Sequence, residues 1–147
     1  MIDFLRINEY KENNRIEAKR ALGGLPHSIW ETYSAFANTY GGVILLGVEE
    51  LPDHSFSPID LPCPEMLIED FWELVNDKRV VSANILEEDD VVVENIDGKH
   101  IVVIRVPEAN REEKPVYIFG DKLTGTYFRN GEGDYKVPVN EIDRMFS

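Results

Sequence analysis

Two pairs of glutamates give this chain its clearest chemical signal. Glu12 and Glu17 lead into a segment that alternates apolar and polar residues, and Glu49 and Glu50 follow Gly47 at the end of an apolar run. If those two ends neighbour each other in a sheet, Glu12, Glu17 and Glu50 converge. A cluster of that kind can hold a hard cation such as Mg²⁺ or Mn²⁺, which polarises a phosphodiester and activates a water. The competing reading is a solvated rim, because exposed glutamates are common. Lys19, on the same strand face as Glu17, is either a phosphate contact or a salt-bridge partner for it. Arg129 precedes Asn130-Gly131 and the acidic turn Glu132-Gly133-Asp134. There it either grips a phosphate or carboxylate bidentately or pairs with an acid such as Asp134 across the turn.

Gly41-Gly42 invites a phosphate-loop reading, but the order of elements opposes it. A phosphate loop needs glycines after a strand and before a helix, so that helix N-terminal N–H groups face the anion. Here the glycines follow a helix C-terminus, whose partial charge is negative, and neither GxxxxGK[ST] nor GxGxxG occurs. The pair is either a helix stop with close helix-to-strand packing or part of a ligand contact shared with Asn38 and Thr39. His27, His54 and His100 are scattered and form no nucleophile constellation. Cys63 lies between two prolines with no basic neighbour to lower its pKa.

The elements that must position these groups follow from periodicity. Asn14 to Ala21 alternates as a half-exposed strand, with Ile16 and Ala18 on one face. From Pro26, the residues Ile29, Tyr33, Phe36, Ala37 and Tyr40 recur at helical spacing until Gly41 stops the helix. Val43 to Val48 is apolar throughout, as a central strand covered on both faces would be. Pro64 to Asp77 is a second amphipathic helix, with Met66, Phe71, Leu74 and Val75 inward. Val80 to Leu86, Val91 to Ile96 and Lys99 to Val106 read as strands, the last two joined by an Asp97-Gly98 hairpin turn. Val116 to Phe119 and Gly125 to Arg129 read as short strands, and Val139 to Phe146 as a short helix. The order predicts one α+β domain over 1–147, with a mixed, largely antiparallel β-sheet packed with two main helices and a short C-terminal helix.

Composition narrows the function classes. A single cysteine excludes an intramolecular disulfide and a multi-cysteine zinc site. No apolar run approaches the ~20 residues of a membrane helix, and we expect a cytoplasmic protein. The net charge of −13 argues against a generic nucleic-acid binder. That charge is unevenly spread, at −2 over residues 1–50, −11 over 51–98 and 0 over 99–147. A nucleic-acid face built from the two ends of the chain therefore remains open, and the acidic stretch Glu65 to Asp97 suits a basic protein partner.

Four segments together resemble the Schlafen AlbA-like domain family. They are EAKRALGGLP (Glu17 to Pro26), SAFANTYGGVILLGVEE (Ser34 to Glu50), VPEANREEKPVY (Val106 to Tyr117) and GTYFRNGEGDYKV (Gly125 to Val137). The second is the most specific. The resemblance implies an α+β fold, a DNA- or RNA-binding module of bacterial transcriptional regulators, and a C-terminal winged-helix or ATPase-like region or a homo-oligomer as partner. The chain is then expected to be the N-terminal part of a longer protein. On this reading Lys19, Arg20, Asn38, Thr39, Gly41, Gly42 and Arg129 form the binding face. Vertebrate relatives include RNA-cleaving enzymes with two glutamates spaced E-x-x-x-x-E and a later aspartate. Glu12 and Glu17 match that spacing, with Glu50 at the aspartate position. The alternative function is therefore a Mg²⁺- or Mn²⁺-dependent endoribonuclease with Glu12, Glu17 and Glu50 as ligands. A protein-interaction domain is the second alternative.

Overall fold

A computed structural model describes residues 2–146. The alternating segment forms β1 (Ile16–Lys19), and the helical repeat forms α1 (Ile29–Asn38). The apolar run that follows is divided by Gly47 into β2 (Gly42–Leu46) and β3 (Val48–Glu50). Gly47 has φ +86°, a left-handed backbone that side chains resist. A Cβ there would lie 2.6 Å from the Leu61 side chain. The single strand expected over Val43 to Val48 therefore turns at this glycine and leaves the main sheet, and β3 pairs instead with β4 (Phe56–Pro58).

Pro64 at the first turn opens α2 (Pro64–Val75). The Asp97-Gly98 turn joins β5 (Val91–Ile96) to β6 (Lys99–Val106) at the expected boundaries. Downstream lie β7 (Tyr127–Asn130), β8 (Gly133–Lys136) and α3 (Ile142–Phe146). Val80 to Leu86 is not a strand. Within it, Val81 alone makes a β-bridge, to Ile118, and Val116 to Phe119 likewise forms isolated bridges rather than a strand. The acidic turn after Arg129 is the tip of a hairpin, because Gly133 and Asp134 already belong to β8.

The main sheet runs β1-β2-β6-β5, with β1 parallel to β2 and the other pairs antiparallel. This is the mixed, mostly antiparallel α+β arrangement expected. Side chains alternate across it. Ile44, Leu46, Val102 and Ile104 face α1 and α2, where Ile29, Tyr33, Phe36 and Phe71 are fully buried. The Trp30 and Phe71 rings stack 5.3 Å apart and tie the two helices together. On the opposite face Leu45, Ile101 and Val103 pack against Ile7 from an N-terminal 3-10 turn and against Phe56.

Candidate metal centre

Carboxylate oxygens of Glu12, Glu50 and Glu132 lie within 4.8 Å of one another. Three separate stretches of chain supply them: the segment before β1, the end of β3 beyond the Gly47 bend, and the β7–β8 turn. Oxygens on opposite sides of a Mg²⁺ ion are about 4.2 Å apart and those around Ca²⁺ about 5 Å, so the cluster has the span of a hard divalent cation. An all-carboxylate donor set also suits Mg²⁺, Ca²⁺ or Mn²⁺ over softer metals.

Glu12 is half-buried. Its Oε2 accepts a hydrogen bond of 3.0 Å from the Ala18 backbone N–H. Its pKa is nevertheless pushed up to about 7. Burial is the main cause and the Ala18 bond opposes it, while the charges of Glu17 and Glu50 and a hydrogen bond shared with Glu17 add to the rise. Near neutrality this carboxyl is therefore close to the midpoint of its titration, and a bound cation would displace the proton from the protonated fraction.

Glu17 stands beside Glu12 but is bound elsewhere. Its Oε1 accepts from Arg129 Nη1 at 2.9 Å, and its Oε2 lies 3.7 Å from Lys19 Nζ. Of the three acids expected from the sequence, Glu12 and Glu50 thus enter the cluster, and Glu132 takes the place assigned to Glu17. Glu49 sits opposite Ser57 in the β3–β4 pair. Glu50 also lies 3.5 Å from His54 Nδ1.

Arg129 supports the site from beneath. Its side chain is 0% exposed, and all five N–H donors are engaged. Nε and Nη2 donate to the Asn13 carbonyl at 3.1 and 2.8 Å, and Nη2 also reaches the Ile16 carbonyl at 3.1 Å. Nη1 donates to Glu17 at 2.9 Å and to Asp134 at 2.7 Å. Burial pulls its pKa down, but the bonds and charges of Asp134 and Glu17 outweigh that and the net shift is upward. No donor remains for a phosphate, so the pairing with Asp134 is the alternative the structure displays.

The glycine junction is similarly committed to packing. Asn38 Oδ1 accepts from the Val116 N–H at 2.8 Å, and Nδ2 donates to the Val116 and Tyr127 carbonyls, each at 2.9 Å. Thr39 Oγ1 accepts from the Arg129 N–H at 2.9 Å. Gly41 has φ +73°, and a Cβ on it would sit 2.8 Å from the Val106 carbonyl. A Cβ on Gly42 would meet the Phe36 ring at 2.8 Å. Asn38, Thr39 and Arg129 thus hold α1 and β7 together through their side chains, while Gly41 and Gly42 pack closely against β6 and α1 and line a cleft on the opposite face of the sheet. Lys19 is 11% exposed in its side chain and donates to Ser28 Oγ at 3.0 Å. Arg20 is exposed. Glu132 escaped the sequence reading because Gly131 to Asp134 reads as a plain turn. The polar–aromatic alternation of Asp134-Tyr135-Lys136, which begins within that turn, was the available signal for a hairpin.

A family model described as Schlafen, AlbA_2 matches residues 10–138. The chain belongs to that family. This AlbA_2 domain is similar to the solution NMR structure of the N-terminal domain of a RecG-related protein from Nitrosomonas europaea, a protein named for its relation to an ATP-dependent DNA helicase. The two are 30% identical, cover 93% of this chain and 94% of that one, and superpose with a TM-score of 0.68. The crystal structure of the DIP2311 protein from Corynebacterium diphtheriae shares the fold at 18% identity and a TM-score of 0.55, over 84% of this chain and 22% of that one. Among curated proteins nothing matches. No helix among the described residues is long and apolar enough to cross a membrane.

Proposed function

We propose that this AlbA_2 domain is a nucleic-acid-binding module that meets the phosphate backbone through a divalent cation held by Glu12, Glu50 and Glu132. The observation that carries this reading is the convergence of their three carboxylates within 4.8 Å. The net charge of −13 opposes the approach of a phosphate backbone, and three converging carboxylates would oppose it most strongly at this point of the surface. A hard divalent cation bound there supplies the charge that bridges carboxylate to phosphate. Membership of the family and the likeness to the N-terminal domain of a helicase-related protein support nucleic acid as the partner. The module is regulatory on this reading, acting through a further C-terminal region or a second copy.

Fluorescence anisotropy with labelled DNA and RNA tests the proposal. Binding is expected to tighten on exchanging EDTA for Mn²⁺ or Mg²⁺, and Glu50→Gln or Glu132→Gln is expected to remove most of that gain. Equal affinity with and without divalent cation would reject the cation bridge.

Metal-dependent RNA cleavage is the second reading, favoured by the position of Lys19 beside Glu17, itself next to Glu12. A sheltered ammonium there can offset negative charge developing on a phosphate. RNA that stays intact under Mn²⁺ while still binding would leave the first reading standing and dismiss the second.

A further inference from the structure

A cleft of about 550 Å³ opens on the sheet face away from the helices, beside Ile2 and Tyr10, which flank the N-terminal 3-10 turn. Such a volume is within the ~300–1,000 Å³ usual for ligand sites. Strand register builds its floor, since Ile16 pairs with Val43 and Val43 with Arg105, so the three lie in one row across β1, β2 and β6. Tyr10, Arg15 and Tyr40 form its rim.

The charge of this cleft is opposite to that of the molecule. No aspartate or glutamate lines it. The chain has 28 acids against 15 lysines and arginines, yet among the described residues neither the Arg15 nor the Arg105 guanidinium has a carboxylate partner. Arg15 instead lies over the Tyr40 ring, 6.0 Å from its centroid, and that ring is 59% exposed. Unpaired guanidinium forks recognise phosphate, and exposed aromatic faces stack on unpaired bases.

We propose that the Arg15–Tyr40–Arg105 cleft binds a single-stranded nucleic-acid segment, with its phosphates on the two arginines and a base against Tyr40. The inference rests on the nucleic-acid reading above and sharpens it, because a base paired within a duplex has no free face for the tyrosine. The segment containing Glu12 and Asn13 runs from the carboxylate cluster to the rim of this cleft, so one strand can engage both.

The test is anisotropy with a labelled single strand of about 10 nucleotides and its duplex, in Mn²⁺ and in EDTA. The proteins are wild type, Tyr40→Ala, Arg105→Gln and Glu50→Gln. The single strand is expected to bind more tightly than the duplex. Tyr40→Ala, which removes an exposed ring, is expected to weaken single-strand binding about tenfold in both buffers. Arg105→Gln is expected to lower the salt slope of binding by about 1. Glu50→Gln is expected to lose only the Mn²⁺-dependent part. If Tyr40→Ala and Arg105→Gln bind as wild type does, the cleft proposal fails while the cation bridge stands. Preference for the duplex also overturns it, as does a wild-type dimer that Arg105→Gln dissociates. Absence of any nucleic-acid binding by wild type overturns both proposals.

Discussion

The Glu12 carboxyl is sheltered from water and faces Glu17 and Glu50, so ionising it costs more in the folded chain than in the unfolded one. Its pKa rises from the ordinary 4.5 to about 7 on folding. A carboxyl shifted upward contributes stability that is fully present below its unfolded pKa and is lost as pH climbs through the folded value. The wild type is therefore expected to lose melting temperature relative to Glu12→Gln between about pH 4.5 and pH 8. Adding Mn²⁺ at the upper end is expected to restore the wild type and leave the variant unchanged. Parallel pH profiles for the two proteins, read by thermal denaturation, would contradict this. At this scale the sequence named acids and offered two of their partners, Lys19 for Glu17 and Arg129 for Asp134, but not the pairing of Glu17 with Arg129. Glu12 and Glu50 could be named from their places at strand ends. The loss of Glu17 to Arg129 and the arrival of Glu132 depend on a contact between residues more than a hundred positions apart.

The β7–β8 hairpin carries Glu132 and is fastened to α1 at several points. Asn38 holds the Val116 and Tyr127 backbones, Thr39 holds the Arg129 N–H, and Thr32 Oγ1 donates to Asp134 at 2.7 Å. Asn38→Ala leaves these buried backbone groups unpaired and is expected to cost about 1–3 kcal/mol in urea denaturation. Amide exchange at Val116 is expected to accelerate with it, and unchanged protection would argue that the asparagine is dispensable. Elements whose signal is local were readable in advance. Helical spacing gave α1, Pro64 marked the start of α2, and Asp97-Gly98 gave the β5–β6 hairpin. Val80 to Leu86 misled because β-branched composition favours a strand only where an edge is available to pair with. The cleft was invisible for a related reason. Arg15 and Arg105 become neighbours only once β1, β2 and β6 are placed in that order.

Across the whole molecule, charge is separated into an acidic middle third and a small basic cleft. The outward side of α2 bears Glu65, Glu69, Asp70 and Glu73, all exposed. A net charge of −13 repels itself in the compact state. Monovalent salt is therefore expected to stabilise the fold, and a gain of about 1 kcal/mol corresponds to roughly 2–4 °C in melting temperature at this chain length. A melting temperature that falls with NaCl would show that specific ion pairs outweigh the general repulsion. One contact also sets an order in time. Arg129 gathers Asn13, Ile16 and Glu17 from the far end of the chain. A nascent chain that has not reached residue 129 has made the first strand but lacks the group that fastens it. Pairings so distant in sequence form slowly. Until almost the last strand is made, Glu17 has only Lys19 to offset its charge, and the hairpin turn that brings Glu132 to Glu12 and Glu50 does not yet exist.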